Sequence, residues 1–464
     1  MWRDGEGEWR CFEDRCPHRL VPLSEGRIES DGTLLCAYHA WRFDGTGRCT
    51  SIPQALNKTE MDTQISRPKA CATAYPVQVR HGLIFVWPDA STPPPSHMTP
   101  VLTPEVDDPA FGGRIQTPPW NQRDLPYSWD MFFENVMDPA HVNVSHHGLV
   151  GSRYDENTHM TLTLTRDMEC QGGFKHQVKR TFPSGSNNVE LSENDWQPPS
   201  SLSIRSILKD GSRVILQLYA VPTVPGRCMH IGRQVLVKSP EGKLPPGLAF
   251  FALPMPDWVL HATASLFLHQ DAVFLHHQQS IVQRALDEVG DQGDTAKWGS
   301  LMYMPNEVDK NVVALRTWLR RFSGGHVPYQ GFDNQHKLER EFDKTKLFDV
   351  WNTHTKDCKV CKRAHTKLIK TQQVLKVLAA VVVAIGICLD TRVAVTKAVL
   401  AAATTATVGT TTGAVVAPAL GTPWLFLGGL AVAALMLVAS NVSYKLQRLM
   451  EVYEYEHADN NAKA

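Results

Sequence analysis

The sequence predicts an α+β protein built in several parts, and three observations support this prediction. Residues 1–90 are short β-like runs separated by Gly, Pro and Asp, which is typical of a small all-β domain. Residues 110–345 mix helical spacing with alternating strands, as in an α+β domain around an antiparallel sheet. The C-terminal part holds two long apolar stretches. A chain of 464 residues also exceeds what one hydrophobic core normally organises.

The N-terminal domain begins abruptly. Residues 1–13 read as a strand, a glycine turn and a second strand. Neither a signal peptide nor a transit peptide precedes them, so we expect that the true start, with any targeting signal, is missing. The domain closes with an apolar strand at 83–87, and residues 89–100 are a linker rich in Pro and Ser.

The second domain combines helices and strands. An aromatic helix is predicted near 127–137, strands at 161–164 and 214–218, and a further helix over 305–322 whose apolar stripe is interpreted as packing. The aromatic side chains of residues 120–133 either line an apolar cleft or belong to the core.

The C-terminal part predicts a membrane anchor. Residues 377–389 and 424–439 are almost wholly apolar, and flanking Ala, Thr and Val extend both toward the roughly 20 residues that cross a bilayer. The alternative is a helical hairpin buried in a soluble core. Two crossings would place the basic flanks 362–376 and 445–448 on the same side. Residues 444–457 are predicted to form a charged amphipathic helix. The predicted parts are residues 1–90, 110–345, 346–372 and 373–464.

Composition excludes two classes of protein. Lys plus Arg and Asp plus Glu both number 47, so the charge gives no reason to expect a nucleic-acid partner. The ten cysteines are scattered, whereas a disulfide scaffold has a shorter and denser pattern. Metal or redox chemistry suits these cysteines better.

The strongest chemical signal is a Cys-x-His motif followed by a Cys-x-x-His motif. Cys16 and His18 form the first pair, and Cys36 and His39 form a second pair with one further residue between them. Two thiolates on one iron and two imidazoles on the other make the mixed ligation of a Rieske [2Fe-2S] cluster. The competing interpretation is a zinc site of the same composition, although zinc sites usually pair Cys with Cys and His with His.

A second group of candidate ligands lies in the α+β domain. Asn135 and Asp138 are three residues apart on one predicted helical face, and Pro139 then interrupts that helix. His141 and His146 follow and can converge on one ion. Two histidines with a distant carboxylate form the facial triad that holds Fe(II) and leaves positions open for O2.

A Cys-x-x-Cys motif, Cys358 to Cys361, follows His354 and precedes the first apolar stretch. Such a pair can be half of a zinc site, a redox-active dithiol or two idle thiols. Because no second pair is nearby in the sequence, the dithiol is the favoured functional interpretation, with idle thiols as the alternative.

These motifs resemble the Rieske non-haem iron oxygenases. The segments 16–19 (CPHR) and 38–43 (YHAWRF) match the cluster loops of that family, which usually has Pro and Gly where this chain has Ala37 and Ala40. The pattern Asn-x-x-Asp-x-x-His-x-x-x-x-His at 135–146 matches its iron-site signature at every position. The resemblance implies a helix-grip iron domain.

The resemblance also implies roles for individual residues. His141 and His146 would ligate iron, with His147 a weaker alternative to His146. Asp138 would be the bridge that receives electrons from His39, across subunits of a ring that is usually a trimer. The third ligand would be Asp271, which precedes a strand-like run, in preference to Asp309, because Asp309 suits the first turn of a helix.

The order of the parts is similar to one plant and algal group of these oxygenases. This group includes pheophorbide a oxygenase, a translocon-associated Rieske protein and a protochlorophyllide-linked oxygenase; chlorophyllide a oxygenase is a more distant relative. The resemblance implies a multi-pass chloroplast membrane enzyme, in the envelope or thylakoid, that receives electrons from reduced ferredoxin and uses O2 to oxygenate a chlorophyll-derived tetrapyrrole, with pheophorbide a first. The alternatives are chlorophyllide or protochlorophyllide a as substrate, or a redox-sensing Rieske protein.

Overall fold

A computed structural model describes the chain in two compact units, Met1–Pro104 and Glu105–Ala464. The described residues are all except 95–99, 150–153, 155–158, 182–187, 246–254, 289–297, 326, 328, 330–337, 408–423 and 453–464. The boundary lies at the end of the Pro-rich linker that the sequence predicts, part of which is outside the described residues.

The first unit consists of short antiparallel strands and one helix. A three-stranded sheet has the order β1-β2-β7, a four-stranded sheet the order β3-β4-β5-β6, and β8 pairs with β9. The buried side chains of Phe43 and Ile52 pack between cysteines and aliphatic residues in its small core. The elements are β1 (Trp2–Arg3), β2 (Trp9–Phe12), β3 (Arg27–Ile28), β4 (Leu34–Leu35), β5 (Arg42–Phe43), β6 (Cys49–Ser51), β7 (Ala74–Tyr75), β8 (Val77–Arg80), β9 (Leu83–Val86) and α1 (Lys58–Ile65).

The second unit is organised by an eight-stranded antiparallel sheet. Its order is β10-β17-β16-β15-β14-β13-β12, and β11 also pairs with β17. Consecutive long strands are neighbours from β12 to β17, so the sheet is largely a meander. The strands are β10 (Ile115–Gln116), β11 (Asn121–Leu125), β12 (His159–Glu169), β13 (Gly173–Thr181), β14 (Val189–Gln197), β15 (Ser201–Leu208), β16 (Arg213–Val224) and β17 (Arg227–Val237).

Helices share one hydrophobic core with this sheet. Trp129 and Phe133, on the helix Trp129–Met137, contact Trp196 of β14 edge-on. Their ring centroids lie 5.7 and 4.6 Å from that of Trp196, respectively. Leu275 and Leu315 bring two further helices into the same core. The helices are α2 (Pro104–Asp107), α3 (Trp129–Met137), α4 (Val142–Ser145), α5 (Asp257–Glu288), α6 (Trp298–Leu301), α7 (Lys310–Phe322), α8 (Lys344–Leu347), α9 (Lys359–Thr407) and α10 (Trp424–Arg448). The predicted α+β architecture is therefore confirmed.

The two C-terminal helices, α9 and α10, pack antiparallel against each other. A Cβ on Gly386 would lie 3.2 Å from the carbonyl oxygen of Leu425, and one on Gly429 would lie 3.3 Å from that of Val382. Small residues at these positions let the two backbones approach closely, as in membrane helix pairs. The amide of Phe426 donates to the Asp390 carboxylate (2.7 Å) near the start of α10.

The helix pair matches the thickness of a bilayer. At the other end Gln372 donates to Gln447 (2.7 Å), so the overlap of α9 with α10 runs from about 372 to 390, roughly 28 Å. The basic flanks of the two helices therefore lie at the same end, as predicted. Both helices are long and apolar enough to cross a membrane, and only 11% of the most apolar window of each is buried. Among the described residues, neither helix is buried as a core helix would be, which favours the membrane anchor over the buried hairpin.

The predicted amphipathic tail, residues 444–457, is only partly described. Up to Arg448 it continues α10, and a bridge between Asp349 and Val452 then joins the chain to the segment that follows α8. No separate surface helix begins at 444. Residues 453–457, and the stretch 455–459 that entered the resemblance, lie outside the described residues.

Candidate metal centres

The four predicted cluster residues lie on two matching loops of the first unit. Cys16 and His18 lie between β2 and β3, and Cys36 and His39 lie between β4 and β5. The amide of Cys16 donates to the carbonyl of Val21 (2.8 Å), and the amide of Cys36 donates to that of Trp41 (2.9 Å). The loops thus fold alike around their cysteines.

Each loop also contains a left-handed residue four positions after its cysteine. Leu20 has φ 60° and Ala40 has φ 58°, and their amides donate back to the carbonyls of Cys16 and Cys36. This conformation is unfavourable for residues with a Cβ, and glycine adopts it freely. Ala40, where the family usually has glycine, therefore lies at a strained backbone position.

The cysteine and histidine side chains of the two loops differ in burial. Both cysteines are 1% exposed, whereas the ring of His18 is at the surface. The rings of His18 and His39 are 4.6 Å apart, and Trp41 stacks on His18 at an interplanar angle of 6°. Buried thiols beside two adjacent imidazoles suit a two-iron cluster that keeps its thiolate-bound iron inside and its imidazole-bound iron outside.

A single-ion site would look different from these loops. Among the described residues, two groups of three or more potential ligand atoms lie within 4.8 Å of one another, and the Cys16 loop is in neither. A zinc ion would draw all four atoms together. The zinc alternative for this site is therefore disfavoured by the geometry.

The second site is built around the end of α3. That helix stops at Met137 because Asp138 precedes a proline and adopts an extended conformation, with φ −84° and ψ 105°. The carbonyl of Met137 accepts hydrogen bonds from Asn311 (3.0 Å) and Asn194 (3.5 Å). These bonds fix the point at which the chain turns toward the histidines.

Three candidate ligands meet beyond this turn. The Nε2 atoms of His141 and His146 lie 3.9 and 3.3 Å from Oδ2 of Asp271, and the three residues form one of the two compact groups. His146 is fully buried, and Asn135 donates to the Asp271 carboxylate (2.8 Å). Asn135 therefore contacts the site directly, as a positioning residue for the acid.

Hydrogen bonds at Nδ1 orient both imidazoles. His141 donates from Nδ1 to the carbonyl of Asp138, and His146 donates to Oε1 of Gln270 (2.9 Å). Both Nε2 lone pairs are thereby left facing Asp271, which is the arrangement that metal ligation requires. Gln270 was missed by the sequence analysis, although it adjoins the predicted acidic ligand.

The buried atoms of this group lack partners that a metal would supply. Nε2 of His146 and Oδ1 of Asp271 make no hydrogen bond within the described part of the chain. Burial lowers the pKa of His146 to about 4 and raises the pKa of Asp271 to about 7. The imidazole of His146 is thus neutral, burial also lowers the pKa of His141, and the set of two nitrogens and one carboxylate fits the facial triad of Fe(II).

Other candidates fall into structural roles. Asp309 accepts from the amide of Asn306 (3.0 Å) in a capping box that precedes α7, the helix-terminal role considered for it. His147 lies edge-on to Tyr154. Asp271 lies inside α5, so the expectation that it precedes a strand is wrong.

The aromatic residues in and just before α3 are buried in the core. Tyr127, Trp129, Phe132 and Phe133 are at most 4% exposed and belong to the main core. The core interpretation is therefore confirmed for these four side chains, whereas Trp120 is half-buried and packs against Tyr219 and Arg233. The face of the iron group is instead contacted by Phe267, whose ring stacks on His146 with centroids 3.7 Å apart.

The Cys-x-x-Cys motif lies elsewhere in the second unit. Cys358 and Cys361 stand at the start of α9, next to His354 and His261. The sequence analysis noted His354 but did not connect His261 with the motif. These four residues form the second compact group.

Comparison with known proteins gives the family. Residues 1–64 match the Rieske [2Fe-2S] domain and residues 196–288 match the family described as pheophorbide a oxygenase. The chloroplastic pheophorbide a oxygenase of Oryza sativa subsp. japonica is 33% identical over 81% of this chain and 69% of its own length. The chloroplastic protochlorophyllide-dependent translocon component 52 of Arabidopsis thaliana is 28% identical over 81% and 70%. Flavonoid 8-hydroxylase 2 of Ocimum basilicum is 29% identical over 83% and 72%.

The match to the rice oxygenase covers more than two thirds of both chains at 33% identity, and the Rieske domain match at residues 1–64 includes the four predicted cluster residues. The resemblance on which the motif assignments rested is therefore confirmed. This chain belongs to the pheophorbide a oxygenase group of Rieske-type oxygenases.

Proposed function

We propose that this chain is an oxygenase that inserts oxygen from O2 into a chlorophyll-derived tetrapyrrole, with pheophorbide a as the first candidate. The observation that carries the proposal is the meeting of His141, His146 and Asp271 in a chain whose N-terminal unit has two cluster loops. The names of its relatives support the substrate class. Chlorophyllide a and protochlorophyllide a are the alternative substrates.

The residues divide between two cofactors. Cys16, His18, Cys36 and His39 would hold a [2Fe-2S] cluster, and the triad of the second unit would hold Fe(II). When bound, these groups supply electron transfer and activation of O2. The chain itself supplies orientation: Gln270 fixes the ring of His146, and Asn135 holds the acid through its hydrogen bond to Oδ2.

Asp138 is proposed to carry electrons between subunits of a homotrimer, from the Rieske cluster of one subunit to the iron site of the next. Its side chain is 31% exposed, and Oδ2 lies 3.8 Å from Nδ1 of His141. One carboxylate oxygen accepts from the amide of Ala140 (2.8 Å), so the carboxylate is held in place. A surface carboxylate in this position suits a hydrogen bond to a histidine of another subunit.

Reduced ferredoxin is the proposed electron donor, and a chloroplast membrane, envelope or thylakoid, is the proposed location. The relatives are named as chloroplastic. The apolar pair α9 and α10 would cross the bilayer twice and keep the rest of the second unit at its surface. An enzyme tethered there would meet an apolar macrocycle at the lipid phase.

The test is turnover by the full chain in detergent with pheophorbide a, O2 and reduced ferredoxin. We expect substrate-dependent oxygen uptake, a Rieske electron paramagnetic resonance signal and about three irons per chain. His146→Ala should abolish turnover and remove about one iron while leaving the Rieske signal unchanged. His147→Ala, one residue away, is the matched control and should retain iron and activity.

Each other outcome has a distinct meaning. Uptake with chlorophyllide a or protochlorophyllide a alone would move the substrate to those alternatives. A Rieske signal without the third iron, or full iron without oxygen uptake on any of the three substrates, would contradict the oxygenase proposal and favour a redox-sensing protein.

A further inference from the structure

The cluster of His261, His354, Cys358 and Cys361 has no role in the oxygenase reaction described above. Its four potential ligand atoms all lie within 4.8 Å of one another. Sγ of Cys361 is 3.3 Å from Nε2 of His354 and 3.3 Å from Nδ1 of His261. Sγ of Cys358 is 3.5 Å from the same Nδ1. We infer that these residues form a structural zinc site.

The distances point to one ion. With zinc–sulfur bonds of about 2.3 Å and zinc–nitrogen bonds of about 2.0–2.1 Å, neighbouring ligands of a tetrahedral site lie about 3.5 Å apart. A two-iron cluster would place the thiolates and the imidazoles on different irons, and they would not touch. Here Nδ1 of His261 contacts both sulfurs, which excludes that arrangement.

A hydrogen bond to the main chain prepares His354 for ligation. Its Nδ1 lies 2.6 Å from the main-chain carbonyl of Gln122 on β11, and a carbonyl oxygen only accepts. The proton is therefore on Nδ1, and Nε2 presents its lone pair to the thiols. A zinc-bound imidazole usually donates from its other ring nitrogen to a carbonyl or carboxylate in this way.

Burial and charge favour the same assignment. His261, His354 and Cys361 are 6, 7 and 2% exposed. Thiols are weak hydrogen-bond donors, so hydrogen bonds alone would leave these polar atoms poorly compensated. Two thiolates, two neutral imidazoles and one Zn²⁺ form a unit with no net charge, which is the form that tolerates burial. Four protein ligands also leave no open position, as in structural sites and unlike catalytic ones.

The site would join three separate segments of the second unit. His261 lies in the second turn of α5, ten residues before Asp271 on the same helix. His354 lies in a π-helical turn, Trp351–Thr355, and Cys361 lies in the first turn of α9. Zinc would therefore fix the apolar helix pair to the helix that carries the acidic residue of the iron group.

The experiment is metal analysis of the full chain, purified in detergent from cells supplied with both zinc and iron. We expect about one zinc per chain in addition to the iron. Cys358→Ser/Cys361→Ser should lose that zinc and keep the Rieske signal. Cys388→Ser, which changes an exposed thiol on the same helix, is the matched control and should keep zinc.

A second measurement covers the case in which the double variant does not fold. An organomercurial in excess over all ten thiols of the wild-type chain should release about one zinc per chain, as followed by a zinc-sensitive dye. Cobalt in place of zinc should give thiolate-to-cobalt charge-transfer absorption, which the iron triad cannot give because it contains no sulfur. A chain with full iron and no zinc, a disulfide between Cys358 and Cys361 in the purified protein, or zinc that persists in the double variant would each overturn the inference.

Discussion

Arg316 on α7 is the buried cation that holds α3 in place, and its removal should be severe. Its guanidinium contacts the carboxylates of Glu134 and, at 2.8 Å, Asp130 on α3. Arg316 and Glu134 side chains are both 8% exposed. Removing one partner of such a pair leaves an uncompensated buried charge, so we expect Arg316→Met to lower the free energy of unfolding by about 3–5 kcal/mol at neutral pH.

The pH dependence of this loss follows from Glu134. Burial is the largest influence on its pKa and raises it from the ordinary 4.5, while Arg316 opposes the rise. Without Arg316 the pKa rises further. A carboxyl whose folded-state pKa is raised favours the folded state below its unfolded pKa and loses that contribution as the pH rises through the folded value. Arg316→Met should therefore be least harmful near pH 5 and most harmful near pH 8.

The assay is the thermal unfolding midpoint of the full chain in detergent, followed at one scan rate between pH 5 and 8. For a domain of this size each kcal/mol shifts the midpoint by about 2–4 °C, so we expect a fall of roughly 6–20 °C at neutral pH. Arg316→Met/Glu134→Gln should recover part of the loss, and Arg320→Met, at an exposed position of the same helix, should be nearly neutral. A variant that unfolds within about 2 °C of the wild type at every pH would refute the reasoning.

Three further predictions concern single contacts. Ala40→Gly should relieve the left-handed strain, stabilise the cluster loop by about 0.5–1 kcal/mol and slow loss of Rieske absorbance on heating; faster loss would contradict the strain argument. Gln270→Leu should weaken iron binding at His146 by about 10–100-fold in metal titrations with no change in the Rieske signal, and unaltered affinity would count against its positioning role. Gly429→Val should destabilise the helix pair by about 1–3 kcal/mol in thermal unfolding, whereas Gly428→Val, which meets no neighbour within 4 Å, should not; equal effects would exclude close packing as the cause.

The cluster loops were the part of the molecule most accessible from sequence. Ligand identity, ligand spacing and the turn chemistry of each loop are all local, so Cys16 and Cys36 could be assigned without any knowledge of distant contacts. The end of α3 could also be predicted from the sequence, because the helix has to stop before Pro139.

Contacts between residues that are distant in the sequence could not be predicted in this way. Asp271 was a candidate, but the short apolar run after it fits strand and helix alike, and only the packing of α5 in the core decides for helix. Gln270 reaches His146 over 124 residues, and His261 reaches Cys358 over 97. No local pattern encodes such partners, so the tertiary fold had to supply them.

The unbroken course of α9 would set the distance between the iron group and the lipid if α9 and α10 cross a bilayer as proposed. From Lys359 to residue 372, where the overlap with α10 begins, the helix rises about 20 Å without a proline or a glycine. A continuous helix of this kind has no hinge. The iron group would therefore be held at one height and in one orientation above the membrane. A substrate leaving the bilayer would then always approach the same side of the protein. Lengthening this part of α9 by a single turn would raise and rotate that side together.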